Sequence, residues 1–370
     1  MNVSKVNMFF YTGNPGPGML DLVRKSVSNK MKTKLIIIDR GQDDLIPDFE
    51  GISPYVTLIK ANYNGVSFRR ILHLPYLFIY LLNATKNGKH FALHVHTFDT
   101  LVLAVLVKCV RFMSKIELIY QIRDLHSLQV ANSLPSKCIL IFERLLLGFI
   151  QKLVVSSPGF SEFYRVKHGY TGPITLLENI PRRGIFRYRQ KKAARPLVIG
   201  YIGILRYMAS LNYLFETLAT PGVSVQAFIA GGGDSSFITR KYQDYLVSNV
   251  RGSYEYEKDI NELYSNVDII YAVYDSCDYN CQVALPNKFY ESILSGTPII
   301  VASGTLLARY VCRLGIGVSV DVLSDDLQNY LVAINSPDSW YEKAKEALAS
   351  IDPEEYYSVY DKQLEEVVGE

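Results

Sequence analysis

Five cysteines in 370 residues, with no C-x-x-C pair and no zinc-finger spacing, offer neither a disulfide framework nor a cysteine-built metal site. Their odd number, at Cys109, Cys138, Cys277, Cys281 and Cys312, fits a reduced cytosolic chain. No apolar run reaches the roughly 18 residues that a membrane-spanning helix needs. The opening Val6-Asn7-Met8-Phe9-Phe10-Tyr11 runs straight into a Gly/Pro loop, without the long apolar core of a signal peptide. Compact Lys/Arg clusters and nucleic-acid-binding motifs are missing too, so nucleic acid is not an expected partner. There is no G-x-G-x-x-G fingerprint, no internal repeat and no low-complexity tract. With charged residues at 20% and apolar ones at 49%, a largely disordered chain is excluded.

What the chain does have is length and alternation. At 370 residues it is long for one hydrophobic core, and two domains of under about 200 residues each are expected. Charge divides along it: residues 1–190 hold 25 Lys+Arg against 12 Asp+Glu, net +13, and residues 191–370 hold 14 against 24, net −10. A basic half fits contact with phosphates or an anionic membrane face, and equally a solvated surface.

Short β-rich runs alternate with helical stretches, the pattern of parallel sheets built from βαβ units. The first half reads as strands near 6–11, 34–39, 56–60, 91–95, 117–121, 152–156 and 174–178, with helices near 19–28, 69–83, 99–112, 137–149 and 159–167. The pattern breaks between Pro181 and Pro196, where Arg182, Arg183, Arg187, Arg189, Lys191, Lys192 and Arg195 crowd into a stretch of little apolar periodicity. It restarts with a strand from Leu197, followed by strands near 223–230, 253–255, 268–272, 298–302 and 317–320 and helices near 325–334, 339–350 and 353–367. The expected organisation is an N-terminal domain over 1–181, a linker over 182–196, a C-terminal domain over 197–350, and a final helix over 351–370 that packs back on the N-terminal domain.

The most structured motif is Leu285-Pro286-Asn287-Lys288-Phe289-Tyr290-Glu291-Ser292-Ile293-Leu294-Ser295-Gly296-Thr297-Pro298, leading into Ile299-Ile300-Val301. Pro286 can open a helix without losing a hydrogen bond, and Gly296 with Pro298 ends it. Lys288 and Glu291 share a face three residues apart. A helix N-terminus favours an anion and a first-turn lysine adds a full charge, which makes a diphosphate seat. The same spacing also suits a plain surface ion pair.

Other candidates lie at the carboxyl ends of predicted strands, where open α/β sheets bind ligands. Thr12-Gly13-Asn14-Pro15-Gly16-Pro17-Gly18 follows the first strand, and reads as a site or as a simple strand-to-helix turn. His94 and His96 share a strand face, with no further metal ligand in view. Arg123-Asp124-Leu125-His126 closes another strand; its polar groups fit chemistry, an ion pair or a helix cap. Arg206 follows the 197–203 strand, and Gly231-Gly232-Gly233 follows the 223–230 strand. The apolar, aromatic segment from Arg69 to Leu82 suits a membrane surface or a core helix kinked at Pro75.

Taken in order, these pieces resemble the two-domain nucleotide-sugar glycosyltransferases of the GT-B fold, closest to the bacterial family 4 branch that builds capsule, exopolysaccharide and O-antigen. Glu178-Asn179-Ile180-Pro181, Ser156-Ser157-Pro158-Gly159 and Leu263-Tyr264-Ser265-Asn266-Val267-Asp268 extend the likeness over most of the chain, and the Pro-Asn-Lys-Phe-Tyr-Glu to Gly-Thr-Pro block carries it most specifically.

The resemblance implies an α/β architecture of two Rossmann-like parallel-sheet domains facing a central cleft. It implies transfer of a sugar from a nucleoside-diphosphate-sugar donor to a saccharide or lipid-linked saccharide, in the cytoplasm and at the inner membrane face through peripheral contact. Neither a cofactor nor a metal is implied, and retention of the anomeric configuration is favoured. Glu291 is assigned to the donor ribose hydroxyls and Lys288 to the diphosphate, with Gly16, Gly18, Arg206, Gly232 and Asn287 also on the donor side. His96 and Arg123 fall to the acceptor side, and Asp124 and His126 to catalysis.

Three departures stand out: Val283 replaces the first of the family's two glutamates, Ile204 and Ala209 occupy about the places of its Arg and Lys, and Arg123-Asp124 replaces its acceptor-domain histidine. A sugar-nucleotide epimerase of the same fold and a catalytically inactive sugar-binding homologue are the alternatives.

Overall fold

A computed structural model describes residues 5–13, 15–39, 49, 51–60, 68–85, 90–131, 133–187, 196–324 and 326–369, with the backbone alone for 68–71. Arg189, Lys191, Lys192 and Arg195 of the expected linker, and Asn14 of the first glycine loop, lie outside the described residues. The chain divides into two units, one comprising Met1–Glu178 with Val359–Glu370 and the other Asn179–Ser358.

The first unit is built on seven strands: β1 (Val6–Thr12), β2 (Lys32–Asp39), β3 (Val56–Lys60), β4 (Phe91–Val95), β5 (Ile116–Ile122), β6 (Lys152–Val155) and β7 (Ile174–Leu176). All pairings are parallel, in the order β3-β2-β1-β4-β5-β6-β7. All five residues of β4 are buried, as a strand covered on both faces requires.

The crossovers are α1 (Pro17–Ser28), α2 (Phe68–Ala84), α3 (Phe98–Val110), the short α4 (Ser127–Val130) with α5 (Leu134–Leu147), and α6 (Pro158–His168). Right-handed crossovers place α1 on one face of the sheet and α2, α3, α5 and α6 on the other. In that second layer α2 packs on α3, α3 on α5 and α5 on α6. Helix α2 contains Pro75 and divides the two sequence readings between its faces: Leu77 and Leu81 are buried, while Leu72, Tyr76 and Ile79 are exposed.

The second unit holds β8 (Leu197–Ile202), β9 (Val225–Ala230), β10 (Ile269–Ala272), β11 (Ile299–Ala302) and β12 (Gly317–Val320), parallel in the order β12-β11-β10-β8-β9. Its helices are α7 (Met208–Leu218), α8 (Ser236–Lys241), α9 (Tyr256–Ser265), α10 (Tyr279–Val283), α11 (Asn287–Ser295), α12 (Leu306–Leu314), α13 (Asp326–Val332) and α14 (Trp340–Ser350). Leu197, Ile199, Leu211, Phe215 and Ile300 lie in its core.

The strand expected at 253–255 does not form. Arg251 makes one bridge to Ala230, and the chain then leaves the sheet through Gly252 to start α9. The loop expected between Tyr274 and Ala284 contains α10, capped by Asp278 accepting from the Asn280 N–H.

Residues that follow Glu178 already pack in the second unit. Asn179 donates to the Leu285 carbonyl at 3.3 Å, Arg182 pairs with Glu257 at 2.8 Å, and the buried Phe186 ring meets Tyr264 edge-on at 5.2 Å. The last helix, α15 (Pro353–Val368), starts in the second unit and ends in the first. There Tyr360 donates to Asp21 at 3.0 Å and Lys25 pairs with Glu365 at 2.8 Å.

Candidate active site

Helix α11 starts after Pro286 and ends on Gly296, whose φ of 66° is the left-handed cap that glycine adopts without strain. Every residue from Lys288 to Ser295 is buried. The surface-pair reading of Lys288 and Glu291 therefore does not apply: the Lys288 residue is 6% exposed and Glu291 0%. Breaking such a buried pair by removing one partner costs about 3–5 kcal/mol.

Four donors surround the Glu291 carboxylate. Oε1 accepts from the Tyr256 hydroxyl at 2.7 Å and the Asn287 amide at 2.5 Å; Oε2 accepts from the Tyr264 hydroxyl and the Lys288 ammonium. A carboxylate offers about four lone-pair positions, so this set fills it. Burial, with the Glu291 charge adding to it, holds both phenols well above the ordinary tyrosine range, so both stay protonated as donors. The two oxygens differ in surroundings. Tyr264 and Lys288 are buried, whereas Tyr256 and Asn287 are only partly so. The ammonium also lies 5.6 Å from the centre of the Tyr264 ring.

More tyrosines extend the site toward the ends of β8 and β10. Tyr274 stacks at a tilt on Tyr207, 5.2 Å between centroids, and the Tyr207 hydroxyl lies 3.4 Å from Cys281 Sγ. The Glu291 charge contributes to raising the phenol pKa of both Tyr254 and Tyr274, after burial. Arg206 is exposed immediately before Tyr207. The turn after β8 and the glycine loop after β9 run side by side: Gly203 N–H donates to the Ala230 carbonyl and Leu205 N–H to that of Gly232, both at 2.8 Å. Gly231 has φ of 145°, and a Cβ there would lie 1.8 Å from the Gly203 oxygen, so only glycine permits this approach. A Cβ on Gly232 would meet Ser253 Oγ at 2.8 Å.

In the first unit the structure joins some expected residues and separates others. Gly16 is the N-cap of α1, and Gly18 lies under the Arg123 guanidinium: a Cβ on it would come within 2.9 Å of Nη2. The Tyr360 hydroxyl borders the same spot at 3.2 Å. His96 meets the Tyr11 ring edge-on at 5.1 Å. His94 is a core residue, stacked on Phe9 at 4.3 Å, and burial depresses its pKa to about 3. Among the described residues, no three His, Cys, Asp or Glu side chains gather closely enough to hold a metal ion.

Asp124 and His126 are both exposed at the end of β5. His126, however, caps α4: its Nδ1 accepts from the Leu128 N–H at 3.2 Å, and its own N–H donates to Gln129 Oε1 at 2.7 Å. A neutral ring that accepts at Nδ1 carries its proton on Nε2, so while the cap holds it cannot take a second proton as a neutral base.

Beneath this loop lies a polar network that sequence reasoning missed. The fully buried Glu143 accepts from Gln129 at 2.9 Å, Tyr164 at 2.8 Å and Tyr120 at 3.1 Å, and burial raises its pKa. Gln129 thus ties Glu143 to the backbone of His126. The high tyrosine count, 27, is the one sequence signal of both hydroxyl clusters.

No protein-family model matches the chain. It is 26% identical over 238 residues to the succinoglycan biosynthesis protein ExoL of Rhizobium meliloti (strain 1021); the match covers 60% of this chain and 58% of that protein. Sucrose-phosphate synthase from Thermosynechococcus elongatus superposes with a TM-score of 0.68 at 16% identity, covering 98% of each chain. The Anabaena protein HepE, solved in complex with UDP-glucose, gives 0.65 at 15% identity over 98% of this chain and 99% of its own. A putative UDP-N-acetylglucosamine 2-epimerase from Listeria monocytogenes gives 0.60 at 11% identity over 93% and 91%. With its seven-stranded and five-stranded parallel sheets, the chain has the fold these solved structures share, GT-B.

Proposed function

We propose that this chain is a glycosyltransferase that moves a sugar from a nucleoside-diphosphate-sugar donor to a growing surface polysaccharide, with a lipid-linked acceptor at the cytoplasmic membrane face. The observation that carries the reading is the buried Lys288–Glu291 pair at the start of α11 in a GT-B unit. Its cost in desolvation makes a merely structural role a poor use of two charges. HepE, which has this fold and was solved with UDP-glucose, and the similarity to ExoL support the donor and the polysaccharide acceptor respectively.

In this reading Lys288 and the α11 N-terminus stabilise the departing diphosphate as it gains charge. The ribose hydroxyls bind Glu291 at Oε1, where they displace the Tyr256 and Asn287 donors, and Arg206 is a second phosphate contact. Asp124 takes the acceptor proton if the reaction inverts, or positions the sugar if it retains.

The test is a thermal-shift screen of UDP, GDP and dTDP sugars, followed by assay of nucleotide release with saccharide acceptors. A ligand at about a hundred times its Kd adds about 2.7 kcal/mol to the folded state. Lys288→Met is expected to lose both the shift and turnover. Absence of any shift across the screen, or full turnover by Lys288→Met, overturns the reading. The epimerase structure motivates a second reading, which UDP-N-acetylglucosamine alone decides: its epimerisation without acceptor would replace transfer.

A further inference from the structure

The loop that carries Asp124 is held at both ends by buried side chains. At its start the Arg123 carbonyl accepts from the buried Ser156 hydroxyl at 3.1 Å. At its end the His126 N–H donates to Gln129 Oε1 at 2.7 Å. Between these anchors lie only Asp124, which is exposed, and Leu125, which is buried. The second anchor depends on which way round the Gln129 amide sits, because only its oxygen can accept from His126.

Glu143, on α5, decides that orientation. Both of its oxygens lie 2.9 Å from Gln129 Nε2, and Oε1 also accepts from Tyr164 at 2.8 Å and Tyr120 at 3.1 Å. Burial, with the Glu143 charge adding to it, holds both phenols well above the ordinary tyrosine range, so they stay protonated as donors. His168 Nε2 stands 3.5 Å from Oε2, but burial and then the Arg144 charge lower the pKa of that ring to about 4, so at neutral pH it is an uncharged neighbour. Burial raises the Glu143 pKa, while the bonds from Gln129, Tyr164 and Tyr120 oppose the rise by favouring the ionised form. An ionised carboxylate only accepts. It therefore holds the Gln129 nitrogen toward itself and turns the amide oxygen toward His126. A neutral amide or hydroxyl in its place would tolerate either orientation.

Helix stability alone does not call for this arrangement. The bond from His126 to Gln129 is the return half of a capping box, a device that steadies helix starts, yet α4 is four residues long and has little helix to steady. Apolar residues in place of Tyr120, Glu143 and Tyr164 would fill the same space without burying a charge. What the charge adds is direction. We infer that Glu143, acting through Gln129, is the residue that positions the Arg123 to His126 loop and so sets where Asp124 stands on the acceptor side. The anchoring rests on geometry; its effect on turnover rests on the proposed function.

The test is amide hydrogen exchange at His126, read by NMR beside acceptor turnover and calorimetric titration with UDP, at a temperature below the melting of every variant. The variants are Gln129→Met, Glu143→Gln, and Gln129→Glu combined with Glu143→Gln. Each of the first two should speed exchange at His126 about tenfold or more, as the loss of one hydrogen bond does. Each should also lower kcat for transfer about tenfold, with UDP affinity unchanged. The combined variant again sets a carboxylate against an amide with an acceptor facing His126, and should return both quantities to within about threefold of wild type. A merely structural role would move the melting temperature and leave kcat of the folded protein alone.

Wild-type exchange at His126 in both single variants overturns the inference, and so does a combined variant that melts cooperatively yet does no better than they do. Faster exchange with undiminished turnover overturns the positioning of Asp124. If the wild type transferred no sugar at all, exchange would still decide the anchoring, and only the proposed function would fall.

Discussion

Replacing Tyr264 and Tyr256 by phenylalanine, one at a time, separates support of Glu291 from contact with the donor. Tyr264 is 2% exposed and donates to Oε2. Phenylalanine fits its space and keeps the ring contacts with Phe186 and Lys288, so the loss is one buried, charge-assisted hydrogen bond. That is about 1.5–3 kcal/mol, or roughly 4–10 °C in melting for a unit of this size.

Tyr256 reaches Oε1 from the partly exposed side at 2.7 Å, where water can replace it, and its loss should cost about 1 kcal/mol or less. A vicinal diol needs two acceptor positions on Glu291, and in the proposed reading it takes those held by Tyr256 and Asn287, the two donors that are themselves partly exposed. Calorimetric titration with UDP should therefore give Tyr256→Phe an affinity equal to or above wild type, and Tyr264→Phe a weaker one, since Oε2 is less firmly held. A tenfold loss of UDP affinity in Tyr256→Phe, alongside wild-type melting and affinity in Tyr264→Phe, would refute the assignment of the two sides.

Gly231→Ala should prevent correct folding of the second unit or lower its stability by about 3 kcal/mol or more, because its Cβ would overlap the Gly203 oxygen; yield and urea denaturation report it. Glu143→Ala leaves the buried donors of Tyr120, Gln129 and Tyr164 without their acceptor and should cost about 3 kcal/mol or more by the same denaturation assay. For His94 the folded pKa, about 3, lies below the ordinary value of 6.5, so the unfolded chain binds the extra proton between them. Its stabilising effect is full above the upper value and falls as pH drops toward the lower one, by about 5 kcal/mol in all. Melting temperature followed against pH should lose that part of its slope in His94→Phe, and an unchanged slope would show that His94 is not its source.

The elements themselves were largely legible in the sequence. Strand and helix periodicities placed all seven strands of the first sheet within a few residues, and Pro286 and Gly296 framed α11 as they do in the structure. The 253–255 strand failed because β-rich composition cannot tell a paired strand from a single bridge followed by a helix start. The sequence left Lys288 and Glu291 between a surface pair and a site, since spacing within a helix fixes a shared face and not what covers it.

Sequence alone determined the two-domain alternation of strands and helices, the basic and acidic halves and the candidate loops, because local propensity and periodicity are properties of neighbouring residues. Only tertiary structure decided that α11 is buried and that Tyr256 and Tyr264, far from it in the chain, fill the Glu291 carboxylate. It also decided that His126 is spent as a cap over the Glu143 network. Each of these depends on what distant segments bring together, and burial decides what a charge is worth.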